Sequence, residues 1–184
     1  MSESVPPINA LLREIHLAAM PGREDRGKLS ALRRGFSDTT ATLAWPYIAP
    51  FCDLTNEKQR TIWLTLAAAA ASLIPQSLER PGCGNLGATM RRLALGSGIS
   101  STEALNSFEA RFRRLLTCQT TSELCSHLPT IIRAAVAKGT QVDASQLFYD
   151  LQDWELRSKR NVPVEWARGY WVAPDRTAPQ EVAP

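Results

Sequence analysis

The feature that most constrains the fold is the ratio of helix-favouring to strand-favouring aliphatic residues. The 184-residue chain has 22 Leu and 24 Ala, against only 7 Val and 8 Ile. Unbranched Leu and Ala favour helices, whereas β-branched side chains favour strands. An α/β nucleotide-binding fold would need Val- and Ile-rich runs between its helices, and none is visible. The sequence therefore predicts an all-α protein, a bundle of about eight to nine helices.

Proline and glycine divide the predicted helices into two lobes. The most apolar stretch, Asn56–Ile74, predicts a helix at the centre of the fold, and Pro75 ends it. A segment rich in Pro and Gly, residues 75–85, follows as the predicted hinge. We therefore expect an N-terminal lobe over residues 1–78, a C-terminal lobe over 79–171 and a disordered tail over 172–184.

Local signals also predict where several helices begin and end. A helix from about Glu24 to Arg34 should end at Gly35 in the left-handed conformation. Ser100 and Glu103 form a capping-box pattern for the helix that follows. Asp143 should begin a last long helix, which Pro163 breaks or restarts.

Catalytic signatures are missing from the sequence. It contains no G-x-G-x-x-G, Walker A, H-E-x-x-H or G-x-S-x-G motif. Asp150 and Asp153 share a helical face and could hold Mg²⁺ or act as acid and base. The other interpretation is that they form ion pairs with Arg157 and Arg160 on a solvated face. We expect a protein that is not an enzyme, with no catalytic residues and no cofactor.

The cysteine pattern predicts neither a metal site nor a secreted protein. The four cysteines form no C-x-x-C pair, and Cys125 and His127 lie two apart on a predicted helix, so they point in different directions. The longest apolar run, Ile62–Ile74, is too short to span a bilayer, and the N-terminus lacks the basic start of a signal peptide. We expect a cytoplasmic location with reduced cysteines.

The formal net charge of +3 hides an uneven distribution. Residues 1–52 carry six basic and five acidic groups, 141–184 carry five and seven, and 53–140 carry ten and six. Of the 21 cations, 17 are Arg, whose planar donors suit phosphate and carboxylate. Genomic base composition that favours Arg over Lys is the alternative explanation.

Two arginine pairs are candidates for a nucleic-acid surface. Arg111 and Arg114 lie opposite the apolar stripe of one predicted helix, and Arg91 and Arg92 leave the apolar face of its neighbour. Arg113 follows Glu109 by four residues, so these two can pair. The outward pairs could form a stripe that follows a phosphate backbone, or an ordinary charged surface.

Further candidates lie near the two ends of the chain. Arg33 and Arg34 occupy the last turn of a predicted helix, where cations suit the helix dipole even without a ligand. Trp166, Tyr170 and Trp171 could stack on bases, but such a cluster more often fastens a last helix to the core.

Several short patterns, in this order and spacing, resemble a known family over roughly residues 29–171. That family is the CasB-type small subunit of Cascade, the RNA-guided surveillance complex of type I-E CRISPR systems. The residues that carry the resemblance are Leu32-Arg33-Arg34-Gly35, Gly84-Asn85-Leu86-Gly87, Arg111-Phe112-Arg113-Arg114-Leu115-Leu116, Asp143, Leu147, Asp150-Leu151, Trp154, Val164, Trp166-Ala167-Arg168 and Tyr170-Trp171.

The resemblance implies a non-catalytic, all-helical subunit that contacts nucleic-acid backbone without reading sequence. Its expected partners are other Cascade subunits, a second copy of itself, the crRNA and the displaced strand of the target DNA. By position, the resemblance adds Lys58 or Arg60 to the candidate contacts, beside Arg33, Arg34, Arg111 and Arg114. Pro163 departs from the continuous charged helix that the family leads us to expect. The alternative function is a scaffold that contacts only proteins.

Overall fold

The described part of the chain is helical, as the Leu and Ala content predicts. The computed structural model describes residues 7–74, 84–96, 102–157 and 160–172. Within these ranges there are nine α-helices and no strand. They are α1 (Pro7–Leu17), α2 (Arg26–Arg33), α3 (Trp45–Ile48), α4 (Glu57–Leu73), α5 (Leu86–Leu95), α6 (Thr102–Thr117), α7 (Thr121–Ala137), α8 (Ala144–Asp153) and α9 (Val162–Trp171). Two short 3₁₀ helices, Arg34–Phe36 and Ala41–Ala44, connect α2 to α3.

Helix α4 lies at the centre of the packing, as its apolar sequence predicts. Residues 66–71 are all buried, and five of these six are alanines. Alanine side chains let neighbouring helices approach closely, so α4 packs against α7 most extensively and also against α1, α2 and α8. None of the described helices is long and apolar enough to cross a membrane.

Side-chain caps define where six of the helices begin. In each case an Asp, Asn or Thr oxygen accepts a hydrogen bond from a backbone N–H in the first turn, which satisfies a donor that the helix leaves unpaired. Asp143 begins α8 in this way, as predicted. The other caps are Asp25, Asn56, Asn85, Thr120 and Asn161.

Two local predictions differ from the structure. Gly35 is not left-handed but lies in a 3₁₀ helix, where an added Cβ would be 3.1 Å from the Leu64 carbonyl oxygen. Its place in the sequence is therefore explained by close packing on α4 rather than by a turn. The helix that Asp143 begins is shorter than predicted, because α8 ends at Asp153. Pro163 restarts the helical structure, as one of the two predicted alternatives has it, and stands in the first turn of α9, where proline is tolerated.

A close crossing joins α5 to α9. An added Cβ on Gly87 would be 1.9 Å from the Trp166 carbonyl oxygen, and one on Gly169 would be 2.3 Å from the Asn85 side-chain oxygen. The Asn85 amide also donates a hydrogen bond to the Glu165 carbonyl oxygen at 2.9 Å. The Gly84-Asn85-Leu86-Gly87 pattern therefore specifies this helix–helix contact.

The division into two lobes at residues 78 and 79 stays a prediction. That boundary, the predicted hinge over most of 75–85, the capping residue Ser100 and the tail after Val172 lie outside the described residues. Buried residues of α1 through α9 belong to one hydrophobic cluster.

Candidate nucleic-acid interface

Helix α6 presents two exposed arginines on the side away from the core. Phe112 and Leu115 are buried, whereas Arg111 and Arg114 are exposed and, being three residues apart, lie side by side. Arg113 points elsewhere and forms the predicted ion pair with Glu109, with 2.7 Å between nitrogen and oxygen. Within the described residues, Arg111 and Arg114 therefore remain available to a ligand.

A third cation, Lys138, joins this surface and was missed in the sequence. The Lys138 Nζ lies 4.6 Å from the centroid of the Phe108 ring, and the Arg111 guanidinium carbon lies 5.6 Å from the same centroid. Lys138 Nζ also donates a hydrogen bond to the Leu93 carbonyl oxygen at 3.0 Å. One aromatic ring thus brings a cation from α6 together with one from the end of α7.

We call Arg111, Arg114 and Lys138 the α6 basic face. Among the ion pairs within the described ranges, none involves these three side chains. Their positive charge is therefore not neutralised by a carboxylate of the described residues, and it can attract a polyanion.

The second predicted pair, Arg91 and Arg92, does not point outward. Both side chains are half-buried. Arg91 donates to the Tyr170 carbonyl oxygen at 2.8 Å, near the end of α9, and Arg92 donates to the Gln141 carbonyl oxygen at 3.3 Å. The sequence placed them off the apolar face correctly, but it could not show that neighbouring segments cover that side of α5. These arginines satisfy backbone carbonyls of the protein itself.

The Arg33–Arg34 pair is split between two environments. Arg33 Nε donates a hydrogen bond to the Ala71 carbonyl oxygen at 2.9 Å, close to the end of α4, where helix carbonyls lack partners. Arg34 is exposed, and no described side chain forms an ion pair with it. Both side chains are exposed, and they differ in that Arg33 also donates to a backbone carbonyl of α4.

Lys58 and Arg60 lie at the beginning of α4, and both already have partners in the protein. Lys58 Nζ is 2.8 Å from a carboxylate oxygen of Glu155, and Arg60 donates to the Leu54 carbonyl oxygen at 2.6 Å. Glu155 also accepts from the Thr121 backbone N–H at 2.7 Å. The Lys58 side chain, followed by the Thr121 N–H, lowers the pKa of Glu155 to about 2.

The cations associated with α4 do not form one cluster. Arg33 contacts α4 at Ala71, and Arg60 lies eleven residues before Ala71 in the same helix. Because an α-helix rises 1.5 Å per residue, Ala71 and Arg60 are about 16 Å apart along the helix axis. The α6 basic face, by contrast, gathers its three cations around one helix face and one ring.

The carboxylates that sequence reasoning considered for catalysis are part of a buried network. Asp150 is fully buried, accepts from the Trp166 indole N–H at 2.6 Å and lies 2.8 Å from an Arg160 nitrogen. Arg160 also pairs with Glu165 and lies 3.7 Å from Asp153. Burial raises the pKa of Asp150. The predicted ion pairs with Arg160 are present, but the prediction of a solvated face is wrong for Asp150, which is buried under the beginning of α9. Arg157 donates to the Cys118 carbonyl oxygen and is in none of the described ion pairs.

The aromatic residues at the end of the described chain belong mainly to the core, as predicted. Trp166 is fully buried and lies 5.0 Å, between ring centroids, from Trp154. Tyr170 stacks on Phe112 of α6 at 4.3 Å. Trp171 remains 42% exposed, so only this ring is accessible for a contact outside the chain.

One further cluster was not expected from the sequence. The Cys118 sulfur, a Glu123 oxygen and a His127 ring nitrogen lie within 4.8 Å of one another. The signal that could have found it is the spacing of Glu123 and His127, which places them on one face of a helix, with Cys118 just before that helix.

Comparison with known proteins gives one match. A family model described as CRISPR-associated protein Cse2 matches residues 28–171, which is most of the chain. Neither a curated protein nor a solved structure was found to match.

Proposed function

Because the chain belongs to the CRISPR-associated protein Cse2 family, a family of structural subunits of type I-E Cascade, we propose that it binds nucleic-acid backbone within that complex. The binding is independent of base sequence, since sequence reading in such complexes is left to the guide RNA. Its role is to stabilise the assembly and the displaced DNA strand of the R-loop, in the cytoplasm, beside a second copy and other Cascade subunits.

The α6 basic face is the observation that carries this proposal. Arg111, Arg114 and Lys138 offer three positive groups without a carboxylate partner among the described side chains. Arginine forks suit phosphate oxygens, and a contact to phosphate carries no base information. Arg34 supplies a second, separate contact. Lys138 also donates to a backbone carbonyl, but it is exposed and lies beside Arg111 on the Phe108 ring. The other predicted candidates, which have internal partners and lie away from this face, are Arg33, Lys58, Arg60, Arg91 and Arg92.

The test is the salt dependence of DNA binding by the purified full-length chain. Arg111→Ala/Arg114→Ala should weaken binding to single-stranded and double-stranded DNA. Each lost phosphate contact should reduce the slope of log affinity against log salt by about 0.7 to 0.9. The slope should therefore fall by about 1.5 in the double variant. Fluorescence anisotropy on labelled oligonucleotides of several sequences measures both quantities.

Arg113→Ala is the matched control, because it removes the same charge from the same helix. Arg113 is paired with Glu109, so we expect a smaller loss of affinity than for Arg111→Ala. Arg34→Ala tests the second contact without disturbing the Arg33 bond to Ala71. The proposal is wrong if the Arg111→Ala/Arg114→Ala variant keeps its DNA affinity both alone and in the assembled complex.

The second candidate function, a scaffold that contacts only proteins, is favoured by exposed apolar side chains in α9 and directly after it. Val164, Trp171 and Val172 are 52%, 42% and 60% exposed, and exposed apolar groups of this kind are candidate contacts for a partner. A pure scaffold predicts loss of the subunit from the complex when these side chains are changed, and no DNA affinity of the isolated chain. A gel shift of the purified protein separates the two functions.

A further inference from the structure

The junction between α6 and α7 brings together three side chains of different donor chemistry. Cys118 follows the end of α6, and Glu123 and His127 lie one turn apart on α7. One ligand atom from each, a sulfur, a carboxylate oxygen and an imidazole nitrogen, lies within 4.8 Å of the other two. Two of the donors come from a single helix face and the third from the preceding turn, so the local fold alone creates the cluster.

The backbone around this cluster is fixed by other contacts. The Cys118 carbonyl oxygen accepts from the Trp154 indole N–H at 3.1 Å and from an Arg157 nitrogen at 3.4 Å. The Glu123 side chain accepts from the Gln119 backbone N–H at 2.9 Å, and the Glu123 backbone N–H donates to the Thr120 side-chain oxygen at 3.1 Å, so Glu123 is held at the beginning of α7. A carboxylate has about four acceptor positions, so this bond leaves room for a metal ion.

We propose that Cys118, Glu123 and His127 bind one Zn²⁺ ion. Zinc takes thiolate, imidazole and carboxylate ligands at about 2.0 to 2.3 Å in a tetrahedral arrangement. The donor atoms must therefore draw closer than 4.8 Å, which requires rotation of the exposed Glu123 and the half-buried His127 side chains. The zinc–sulfur bond forms as the Cys118 S–H bond breaks, and the proton passes to the buffer.

The burial of the three side chains defines the geometry of the bound ion. Cys118 is fully buried, His127 is half-buried and Glu123 is exposed, so the ion enters from the solvent side and meets the sulfur at the base of the site. With three protein ligands, the fourth tetrahedral position faces solvent and takes a water molecule. The ion then links the turn after α6 to the first two turns of α7 and stabilises that junction.

The experiment measures binding of Co²⁺ and Zn²⁺ to the reduced full-length chain. Addition of Co²⁺ should produce a thiolate-to-metal charge-transfer band that saturates at one equivalent of Co²⁺. Zn²⁺ should then displace the Co²⁺ and abolish the band. Calorimetry of Zn²⁺ binding in two buffers of different ionisation enthalpy should show release of about one proton per ion. Absence of the charge-transfer band in the wild-type chain would overturn the proposal.

Two ligand variants and one control variant test the site. Cys118→Ser should abolish the charge-transfer band. Glu123→Gln should weaken Zn²⁺ binding at least about tenfold, because loss of an outer partner alone costs metal sites about 10- to 100-fold. Glutamine still has an oxygen that can accept from the Gln119 backbone N–H, so this variant separates the ligand role from the structural role of that hydrogen bond. Cys125→Ser, which changes a buried cysteine outside the cluster, should bind as the wild type does. Wild-type affinity in both Cys118→Ser and Glu123→Gln would refute the site.

Discussion

Replacing Gly87 with Ala should disrupt the α5–α9 crossing. The added Cβ would lie 1.9 Å from the Trp166 carbonyl oxygen and 2.7 Å from its carbonyl carbon, whereas real Cβ atoms essentially never approach closer than 3.0 Å. The obstructing atoms belong to backbone, so no side-chain rotation relieves the overlap. Helix α9 must move by more than about 1 Å, and the buried Trp166 must move with it.

The expected cost follows from two opposing terms. Overpacking of a well-packed core costs about 1 to 3 kcal/mol, and a backbone–backbone overlap belongs at the upper end. Alanine within a helix gains up to about 1 kcal/mol over glycine. The net loss in the free energy of unfolding is therefore about 2 kcal/mol. For a chain of this length each kcal/mol lowers the melting temperature by about 2 to 4 °C, so the expected fall is about 4 to 8 °C.

Thermal unfolding followed by circular dichroism measures this effect, and Gly27→Ala is the matched control. Gly27 lies in the first turn of α2 and is exposed, and its nearest atom to an added Cβ is an Asp25 side-chain oxygen at 3.4 Å. There the helix-propensity term acts alone, so stability should rise by about 0.5 to 1 kcal/mol. If both glycine variants shift the melting temperature in the same upward direction, the packing argument is wrong.

Two further predictions concern charged groups. Glu155→Gln should lower stability at neutral pH by about 1 kcal/mol, after solvent screening of its half-exposed pair with Lys58 is taken into account. Because the pKa of Glu155 is lowered from 4.5 to about 2, its ionised form stabilises the fold at any pH above 4.5, and this stabilisation is lost as the pH falls toward 2. The free energy of unfolding of the variant should therefore depend less on pH between 4.5 and 2 than that of the wild type. Asp150→Ala should cost about 3 kcal/mol in urea unfolding, because it removes the buried acceptor of Trp166 and the buried carboxylate partner of Arg160. A stability equal to the wild type in either variant would contradict the assigned contact.

Helix content and most helix ends could be predicted because they depend on neighbours in sequence. Asp143 caps α8 because an Asp three residues before Gln146 can reach that residue's N–H, whatever the rest of the chain does. The prediction of a left-handed Gly35 is wrong because the conformation there depends on a segment distant in sequence. Glycine suits both a left-handed turn and a close approach, and only the packing of α4 beside it decides between them.

Only the part of the candidate interface that depends on neighbours in sequence could be predicted. Helical period places Arg111 and Arg114 on the outer side of α6, because the apolar stripe of the same helix faces inward. Lys138 reaches the Phe108 ring only through the tertiary fold, since thirty residues separate the two in sequence. Arg91 has the same periodicity as an outward residue, yet the end of α9 covers it. Which polar faces remain exposed depends on contacts between distant segments.

The close contact at Gly87 fixes the position of α9 and therefore of the two aromatic rings at its end. With the backbone of α9 packed directly on α5, the Tyr170 and Trp171 rings are held against Phe112 of α6. Phe112 rests on Tyr170, and the guanidinium carbon of Arg113 lies 5.1 Å from the Trp171 ring. Gly87, which has no side chain, thus helps to determine the position of α6 and its arginines relative to the rest of the molecule.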